Sequence, residues 1–243
     1  MSSVAVPRIW AVLPAAGVGR RMGAELPKQY LPLLGEPVIC RTLSCLLGHS
    51  AVYGGVIALA EDDLHWATLQ YQNVKPLHRV TGGAERRDSV MSALRFLLAE
   101  ADDSDWVMVH DAVRPCVTER ELDRLVARAT AHAAGGLLAM PVRDTLKREG
   151  SQGTVAATTD REGLWHALTP QLFPLRLLYE ALLAVIDADT PVTDESQAME
   201  LRGHRPLLIE GSATNLKITR PSDLTLAEVI LKSYSLSESD TCV

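Results

Sequence analysis

Apolar and polar residues follow one another along this chain in blocks that predict strands alternating with helices. Short apolar runs predict buried strands over residues 9–13, 56–60, 106–109 and 136–140. Apolar residues at helical spacing predict helices over residues 38–47, 62–70, 88–99, 119–133, 175–186, 195–202 and 221–234. Such alternation favours a mostly parallel sheet with helices on both faces and ligand sites at the carboxyl ends of the strands. The pattern therefore predicts a single α/β domain with a Rossmann-like sheet.

Two segments depart from this alternation. Residues 141–168 consist of short β-prone pieces separated by Gly150, Gly153 and Gly163, which predicts a β-hairpin arm protruding from the sheet. Residues 235–243 show no periodicity, which predicts a frayed tail. No repeat or linker divides the chain, so residues 1–243 are expected to form one domain.

Composition excludes several classes of protein. With 243 residues, 47% of them hydrophobic, the chain is long enough to bury a full core. A net charge of −6 argues against a nucleic-acid partner. The four cysteines form no Cys-x-x-Cys pair, which argues against a zinc site or a disulfide framework. No apolar run reaches membrane-spanning length, and the first one ends in Pro14 and a glycine-arginine loop. We expect a soluble cytoplasmic protein.

The loop after the first predicted strand carries the strongest chemical signal. Residues 13–22 read LPAAGVGRRM, and Lys28 follows within PKQYL. Small residues leave the main chain bare, so its N–H groups can approach a polyanion, at Ala15, Ala16, Gly17 and Gly19. Met22 stands where a dinucleotide fingerprint or a P-loop needs a small residue, which excludes both. Together with Arg21 and Lys28, the loop predicts a nucleoside triphosphate site; the alternative is an ordinary turn with solvated arginines, as we expect for Arg20.

This loop resembles the signature of the 2-C-methyl-D-erythritol 4-phosphate cytidylyltransferase family of the non-mevalonate isoprenoid pathway. Six later blocks resemble the same family in the same order. They are GGAERRDSV at 82–90, VHDAVRP at 109–115, PVRDTLK at 141–147, TDREGLW at 159–165, TDE at 193–195 and NLKITRPSDL at 215–224. One loop alone would indicate only a nucleotidyltransferase, whereas the ordered set identifies the chain as a member of the family.

The resemblance implies an enzyme that transfers CMP from CTP to 2-C-methyl-D-erythritol 4-phosphate and releases pyrophosphate. The attacking phosphate is already an anion, so the reaction needs positioned cations and a divalent ion rather than a general base. The resemblance assigns catalysis to Arg21 and Lys28 on the nucleotide side, and to Arg161 and Lys217, which would position the attacking phosphate. It assigns substrate binding to Ala15, Ala16, Gly17, Gly19, Gly83, Ser89, Asp111, Ala112, Arg114, Thr145 and Thr193. Asp111 is also the candidate ligand for Mg²⁺ or another divalent cation, because Mg²⁺ commonly uses one or two carboxylates.

Two of these residues, Thr145 and Arg161, lie in the predicted arm. The resemblance implies that such arms interlock in a homodimer, so that each active site borrows residues from its neighbour. Three simpler interpretations remain open: Ser89 as a helix cap, Asp111 as a turn or capping aspartate, and Arg161 as an ordinary turn arginine. We interpret His110 as a packed core histidine.

Three other functions share parts of the pattern. A ribitol 5-phosphate cytidylyltransferase would share the nucleotide half of the site and differ in the polyol pocket. A hexose-1-phosphate nucleotidyltransferase would lack the blocks around Thr145 and Arg161. A nucleotide-sensing module would be expected to lose Lys28 or Asp111, and both are present.

Overall fold

A computed structural model of the protein describes residues 7–17 and 26–239. Eleven strands are present in these ranges: β1 (Ile9–Pro14), β2 (Pro32–Leu33), β3 (Glu36–Pro37), β4 (Val52–Leu59), β5 (Leu77–Thr81), β6 (Trp106–Val109), β7 (Gly136–Pro141), β8 (Leu146–Glu149), β9 (Val155–Thr159), β10 (Trp165–Pro174) and β11 (Leu207–Glu210). The same ranges contain six α-helices: α1 (Val38–Gly48), α2 (Arg86–Glu100), α3 (Glu119–Ala129), α4 (Leu175–Asp187), α5 (Glu195–Leu201) and α6 (Pro221–Ser239). Single 3-10 turns occur at Lys28–Tyr30, Trp66–Thr68 and Ser151–Gly153.

Seven strands form the central sheet, in the order β11-β7-β10-β6-β1-β4-β5. Strand β1 lies parallel to both neighbours, with Val12 opposite Val56 of β4 and Val109 of β6. The pairs β4–β5 and β7–β11 are also parallel, whereas β10 runs antiparallel to β6 and β7. The prediction of a mostly parallel sheet is confirmed.

Helices cover both faces of this sheet because β1 is apolar on both sides. Ala11 and Leu13 pack with residues of α1 and α3, while Trp10 and Val12 pack with residues of α2, α4 and α5. Successive side chains of a strand point to opposite faces, so a continuous apolar run indicates a strand buried on both sides. Helix α6 packs on a smaller apolar cluster that includes Ile218 and Ala227.

The helix predicted over residues 62–70 is wrong. The structure has only the single turn Trp66–Thr68, begun by Asp63, whose Oδ1 accepts the Trp66 N–H at 2.9 Å. Leu64 is exposed, and Trp66 and Leu69 are only partly buried against the core. No residue of the turn is fully buried, so a longer helix here would gain little of the apolar burial that stabilises most helices in proteins.

Other elements differ from the prediction in their ends. Helix α3 ends at Ala129 rather than at residue 133, and Gly135 follows with a φ of 67° in the left-handed region. Helix α6 continues to Ser239, beyond the predicted end at residue 234, so residues 235–239 belong to the helix rather than to the predicted frayed tail. Strand β11 was not predicted, because four residues with mixed burial carry little periodic signal.

The predicted arm is a β-hairpin. Strands β8 and β9 pair antiparallel in a separate two-stranded sheet, and most of their side chains are exposed. The protruding part is shorter than predicted, because Trp165 at the start of β10 already pairs with Pro141 at the end of β7. We call residues 142–164 the arm. No helix in the described part of the chain is long and apolar enough to cross a bilayer.

Candidate active site

Nine of the predicted site residues line one cavity of about 190 Å³ at the carboxyl ends of β1 and β6. They are Ala15, Ala16, Gly17, Lys28, Gly83, Ser89, Asp111, Ala112 and Lys217. These residues come from five separate segments of the chain, which the parallel sheet brings to one edge. The predicted residues Gly19 and Arg21 lie outside the described residues.

The loop after β1 is fixed at two points. The Ala15 N–H donates to the Ala58 carbonyl at 2.8 Å, and the Gln29 Nε2 donates to the Ala15 carbonyl at 2.9 Å. Gln29 is buried and neighbours Lys28, so the second bond ties the Lys28 turn to the loop. The main chain of residues 15–17 and the Lys28 side chain therefore border the same cavity.

Gly83 and Ser89 form a second wall of the cavity. A Cβ on Gly83 would lie 2.3 Å from the Asp88 Cβ, so only glycine allows this close approach to α2. The Gly83 N–H donates to the Ser89 Oγ at 3.1 Å. Ser89 does not cap the helix, because the N-cap of α2 is Glu85, whose N–H donates to Asp88. The buried Ser89 hydroxyl instead holds the Gly83 loop against the helix.

Asp111 lies at the centre of the charged groups. Its Oδ1 is 3.0 Å from the Arg86 Nε, and its Oδ2 is 2.9 Å from the Lys217 Nζ and 3.3 Å from the Arg114 Nε. Burial by itself raises the pKa of the Asp111 carboxyl, but Arg86, Lys217 and Arg114 outweigh burial and hold the pKa well below its usual range. Asp111 is therefore ionised throughout the physiological pH range.

Two further residues of the cluster, Arg86 and Glu195, had no predicted role. The Arg86 guanidinium binds both oxygens of the buried Glu195 carboxylate, at 2.6 and 3.0 Å. Burial alone lowers the pKa of Arg86, and the charges of Glu195 and Asp111 outweigh it and raise the pKa above its ordinary value. The sequence gives no sign of this pair, because its members are 109 positions apart and only the fold joins them.

His110 organises the backbone behind Asp111. A carbonyl can only accept, so the His110 Nε2 donates to the Arg114 carbonyl at 3.0 Å, and Nδ1 accepts from the Thr169 hydroxyl at 2.9 Å. The Thr169 Oγ1 in turn accepts the Asp111 N–H at 3.1 Å. Burial lowers the pKa of His110 to about 4. The ring is fully buried, and it does not line the cavity.

The sequence profile of the 2-C-methyl-D-erythritol 4-phosphate cytidylyltransferases matches residues 9–233. The chain belongs to this family. The family, the fold class and the enzyme class expected from the sequence are thereby confirmed. Members of the 2-C-methyl-D-erythritol 4-phosphate cytidylyltransferase family use CTP to form 4-diphosphocytidyl-2-C-methylerythritol.

Individual relatives cover nearly the whole chain. The 2-C-methyl-D-erythritol 4-phosphate cytidylyltransferase of Halorhodospira halophila is 57% identical over 228 residues, which are 92% of this chain and 94% of the relative. That of Pseudomonas entomophila is 50% identical over 220 residues, 90% and 94% of the two chains. The crystal structure of the Francisella tularensis enzyme superposes with a TM-score of 0.79 at 32% identity, covering 92% of this chain and 99% of its own. A crystal structure of a 4-diphosphocytidyl-2C-methyl-D-erythritol synthase gives 0.83 at 37% identity, covering 93% and 100%.

Four predicted site residues of this cytidylyltransferase-family chain do not line the cavity. Arg114 lies behind it, where its Nε donates to Asp111 and its Nη1 donates to the Asn215 carbonyl. Thr193 lies before α5, and its hydroxyl donates to the Gln197 side chain. Thr145 and Arg161 belong to the exposed arm, and Arg161 donates to the Arg143 carbonyl.

The residues present fit a divalent ion with a single protein ligand. No group of three or more His, Cys, Asp and Glu side chains in residues 7–17 and 26–239 is arranged to hold a metal. Among the described residues, Asp111 Oδ2 pairs with Lys217 and Arg114 and Oδ1 pairs with Arg86, and a carboxylate oxygen has two lone pairs. Mg²⁺ commonly takes one or two carboxylates and completes its shell with substrate phosphates and water.

Proposed function

We propose that this chain transfers CMP from CTP to 2-C-methyl-D-erythritol 4-phosphate, using the cavity between β1 and β6. One observation carries the proposal. The bare main chain at 15–17 and the Lys28 side chain share a cavity with Asp111 and Lys217. The sequence resemblance assigns the first pair to the nucleotide and Lys217 to the attacking phosphate. Two anionic substrates can therefore meet within one cationic cavity.

The nucleotide binds along the β1 loop and the Gly83 wall. Main-chain N–H groups of residues 15–17 approach the triphosphate without side chains in the way, and Lys28 neutralises the α-phosphate. Gly83 and Ser89 line the same cavity, and the cytosine binds beside them. Because Gly83 is held within 3.1 Å of Ser89, this wall is fixed before the base arrives.

The reaction is an in-line displacement. An oxygen of the methylerythritol phosphate forms a new bond to the α-phosphorus of CTP, and the bond from that phosphorus to the bridging oxygen breaks. Pyrophosphate leaves with the electron pair, and no proton has to be removed, so no general base is required. Lys28 and Lys217 stabilise the charge that accumulates on the five-coordinate phosphorus.

Asp111 positions the cations of the acceptor side. It holds the Lys217 Nζ at 2.9 Å and the Arg86 Nε at 3.0 Å, so both donors are oriented before the substrate binds. A preorganised donor stabilises a transition state more than one that must be ordered during the reaction. Asp111 would also hold Mg²⁺ together with the substrate phosphates, and the ion supplies charge neutralisation of the leaving pyrophosphate when bound.

The arm serves the neighbouring subunit. Arg161 and Thr145 are assigned to the polyol phosphate by resemblance, yet within one chain neither lines the cavity. An isologous homodimer in which arms are exchanged would bring both residues to the partner's cavity. Thr193 lies just before α5, whose first residue, Glu195, contacts Arg86. Thr193 completes the part of the site that binds the polyol.

The protein works in the cytoplasm. Cys40, Cys45 and Cys116 are free thiols, as expected in a reducing compartment.

A pyrophosphate-release assay tests the reaction. Purified protein is incubated with CTP, Mg²⁺ and, in separate reactions, 2-C-methyl-D-erythritol 4-phosphate, ribitol 5-phosphate or a hexose 1-phosphate. We expect turnover with the methylerythritol substrate. This turnover should be lost in excess chelator and should be poor when UTP replaces CTP. Turnover with ribitol 5-phosphate alone would refute the acceptor assignment, and full activity in chelator would refute the metal requirement.

Mixing inactive variants tests the shared site. A dimer of one Lys28→Ala chain and one Arg161→Ala chain has one intact site if the arm serves its neighbour. Random exchange makes half of the dimers mixed, so about a quarter of wild-type activity should return. The matched control pairs Lys28→Ala with Lys217→Ala, which line the same cavity and should give no recovery. No recovery with Arg161→Ala, after exchange is demonstrated independently, would refute the shared site while leaving the reaction itself untouched.

A further inference from the structure

A second cavity, of about 580 Å³, lies beside α3 and has no lining residue in common with the active site. Three of its arginines, Arg120, Arg124 and Arg128, are spaced four residues apart on α3. Residues at this spacing occupy one face of a helix. A fourth, Arg143, lies where β7 leads into the arm, and we call these four residues the arginine cluster.

The positive charge of the cluster is not balanced within the described part of the chain. Among the described residues that line the cavity, Glu210 is the one acidic residue, against four arginines. None of the four guanidinium groups forms an ion pair with a described carboxylate. The nearby Glu121 is engaged elsewhere, because its carboxylate accepts from Thr118 and from the Ser212 N–H.

Arg124 gives a second, independent indication that the cavity binds a ligand. This side chain is half-buried, and its Nε atom is buried without a hydrogen-bond partner among the described residues. A buried donor without an acceptor is unfavourable and rare in folded proteins. A ligand that draws the Arg124 side chain toward the cavity would give this donor an acceptor and remove the cost.

We propose that the arginine cluster binds a small anion carrying two or more phosphoryl groups. Guanidinium groups donate in pairs to phosphate oxygens, and four of them around one cavity require a polyvalent anion. The volume is within the range of small-molecule sites, and Met140 and Ile209 add an apolar wall for an organic substituent. Inorganic pyrophosphate and an organic diphosphate share this chemistry.

The site is placed to communicate with the catalytic cavity. Its wall includes Gly211–Ala213, and the same loop continues to Asn215, whose carbonyl accepts from Arg114, and to Lys217. Its other wall includes Arg143, at the base of the arm. The proposal is independent of the transfer reaction, since it concerns binding at residues that do not line the active site.

Calorimetric titration with pyrophosphate tests the proposal. The titrations use Lys28→Ala protein, in which the catalytic cavity is weakened, with and without the changes Arg124→Gln and Arg128→Gln. The matched control carries Arg95→Gln and Arg202→Gln, which remove the same charge from two exposed arginines outside both cavities. The cluster variant should lose at least tenfold in pyrophosphate affinity, and the control variant should not. In otherwise wild-type protein, the cluster changes should leave turnover without added pyrophosphate unchanged.

Parallel titrations with inorganic phosphate and with CDP distinguish the ligand sources. Tighter binding of CDP than of pyrophosphate to the cluster indicates an organic diphosphate, and the reverse order indicates the free anion. Equal losses of pyrophosphate affinity in the cluster and control variants would refute a specific site. An unchanged pyrophosphate affinity in the cluster variant would refute it as well. Sedimentation of each variant checks for a subunit interface: a change of oligomeric state without pyrophosphate binding would overturn the proposal in favour of an interface. Unchanged circular dichroism shows that the variants are folded.

Discussion

Acidification should destabilise this protein through His110, because the folded state holds that ring neutral. The ring is fully buried and donates from Nε2 to the Arg114 carbonyl while Nδ1 accepts from the Thr169 hydroxyl. A proton on Nδ1 would remove this acceptor and place a charge in a buried site. Burial accordingly lowers the pKa of His110 from 6.5 to about 4.

The sign and size of the effect follow from proton binding. The unfolded chain protonates this ring below about pH 6.5, whereas the folded protein does so only near pH 4. The contribution of His110 to the free energy of unfolding is therefore fully present above about pH 6.5, and it decreases as the pH drops toward 4. Between about pH 7.5 and about pH 5, His110 alone should cost roughly 2 kcal/mol of unfolding free energy. Asp111 contributes little to the pH dependence in this window. Its pKa is depressed, so the stabilisation by its charge is lost only at more acid pH.

Urea denaturation at these two pH values measures the effect. We expect His110→Gln to be less stable at the higher pH, because the packing and one hydrogen bond change, but to lose about 2 kcal/mol less than wild type on acidification. His166→Gln is the control, since it removes an exposed imidazole from β10 and should retain the wild-type pH dependence.

A retained wild-type pH dependence in His110→Gln would refute the reasoning. If that variant does not fold, the wild-type protein still provides a test. The NMR signals of the His110 ring should show no titration between about pH 7.5 and about pH 5.5, and titration in this range would contradict the neutral buried state.

Three further outcomes follow from the site. Lys28→Ala should lower kcat by about a hundredfold or more with little change in melting temperature, whereas Lys232→Ala on α6 should have near wild-type kcat. Near-normal turnover of Lys28→Ala would exclude a catalytic role for Lys28. Glu195→Gln should destabilise by about 2 kcal/mol in urea denaturation, because it weakens two charge-assisted bonds to Arg86. Glu200→Gln, at an exposed side chain that can still accept from the Ser196 hydroxyl as an amide, should cost under about 0.5 kcal/mol. Gly83→Ala should cost about 1–3 kcal/mol and raise the KM for CTP, because the new methyl group meets the Asp88 Cβ; Gly48→Ala, with nothing within 4 Å, provides the comparison, and equal stabilities would contradict the proposed clash.

The sequence alone determined the elements whose signal is local. The apolar run of β1 predicted a strand buried on both sides, and the small residues after it predicted a bare loop. The arm was predicted from its glycines and β-prone pieces, and the structure contains the β8–β9 hairpin there. These predictions succeeded because period, turn chemistry and strand length are properties of neighbouring residues.

Local signals failed where tertiary contacts decide. Residues 62–70 carry a helical pattern, but Leu64 is exposed and Trp66 and Leu69 are only partly buried, and a single 3-10 turn forms there. The first residues of β10 read as part of the arm, yet they pair with β7 and belong to the central sheet. Burial is a property of the whole fold, so one segment cannot reveal whether its apolar face has a partner.

The active site shows the same division. The sequence, through its blocks, named Asp111 and Lys217, but it did not indicate that Asp111 binds three cations or that buried Glu195 holds Arg86. Those contacts join side chains from loops up to 109 positions apart. A parallel sheet brings the carboxyl ends of distant strands to one edge, so the residue types are set by the sequence, while their distances and charge balance exist only after the sheet is assembled.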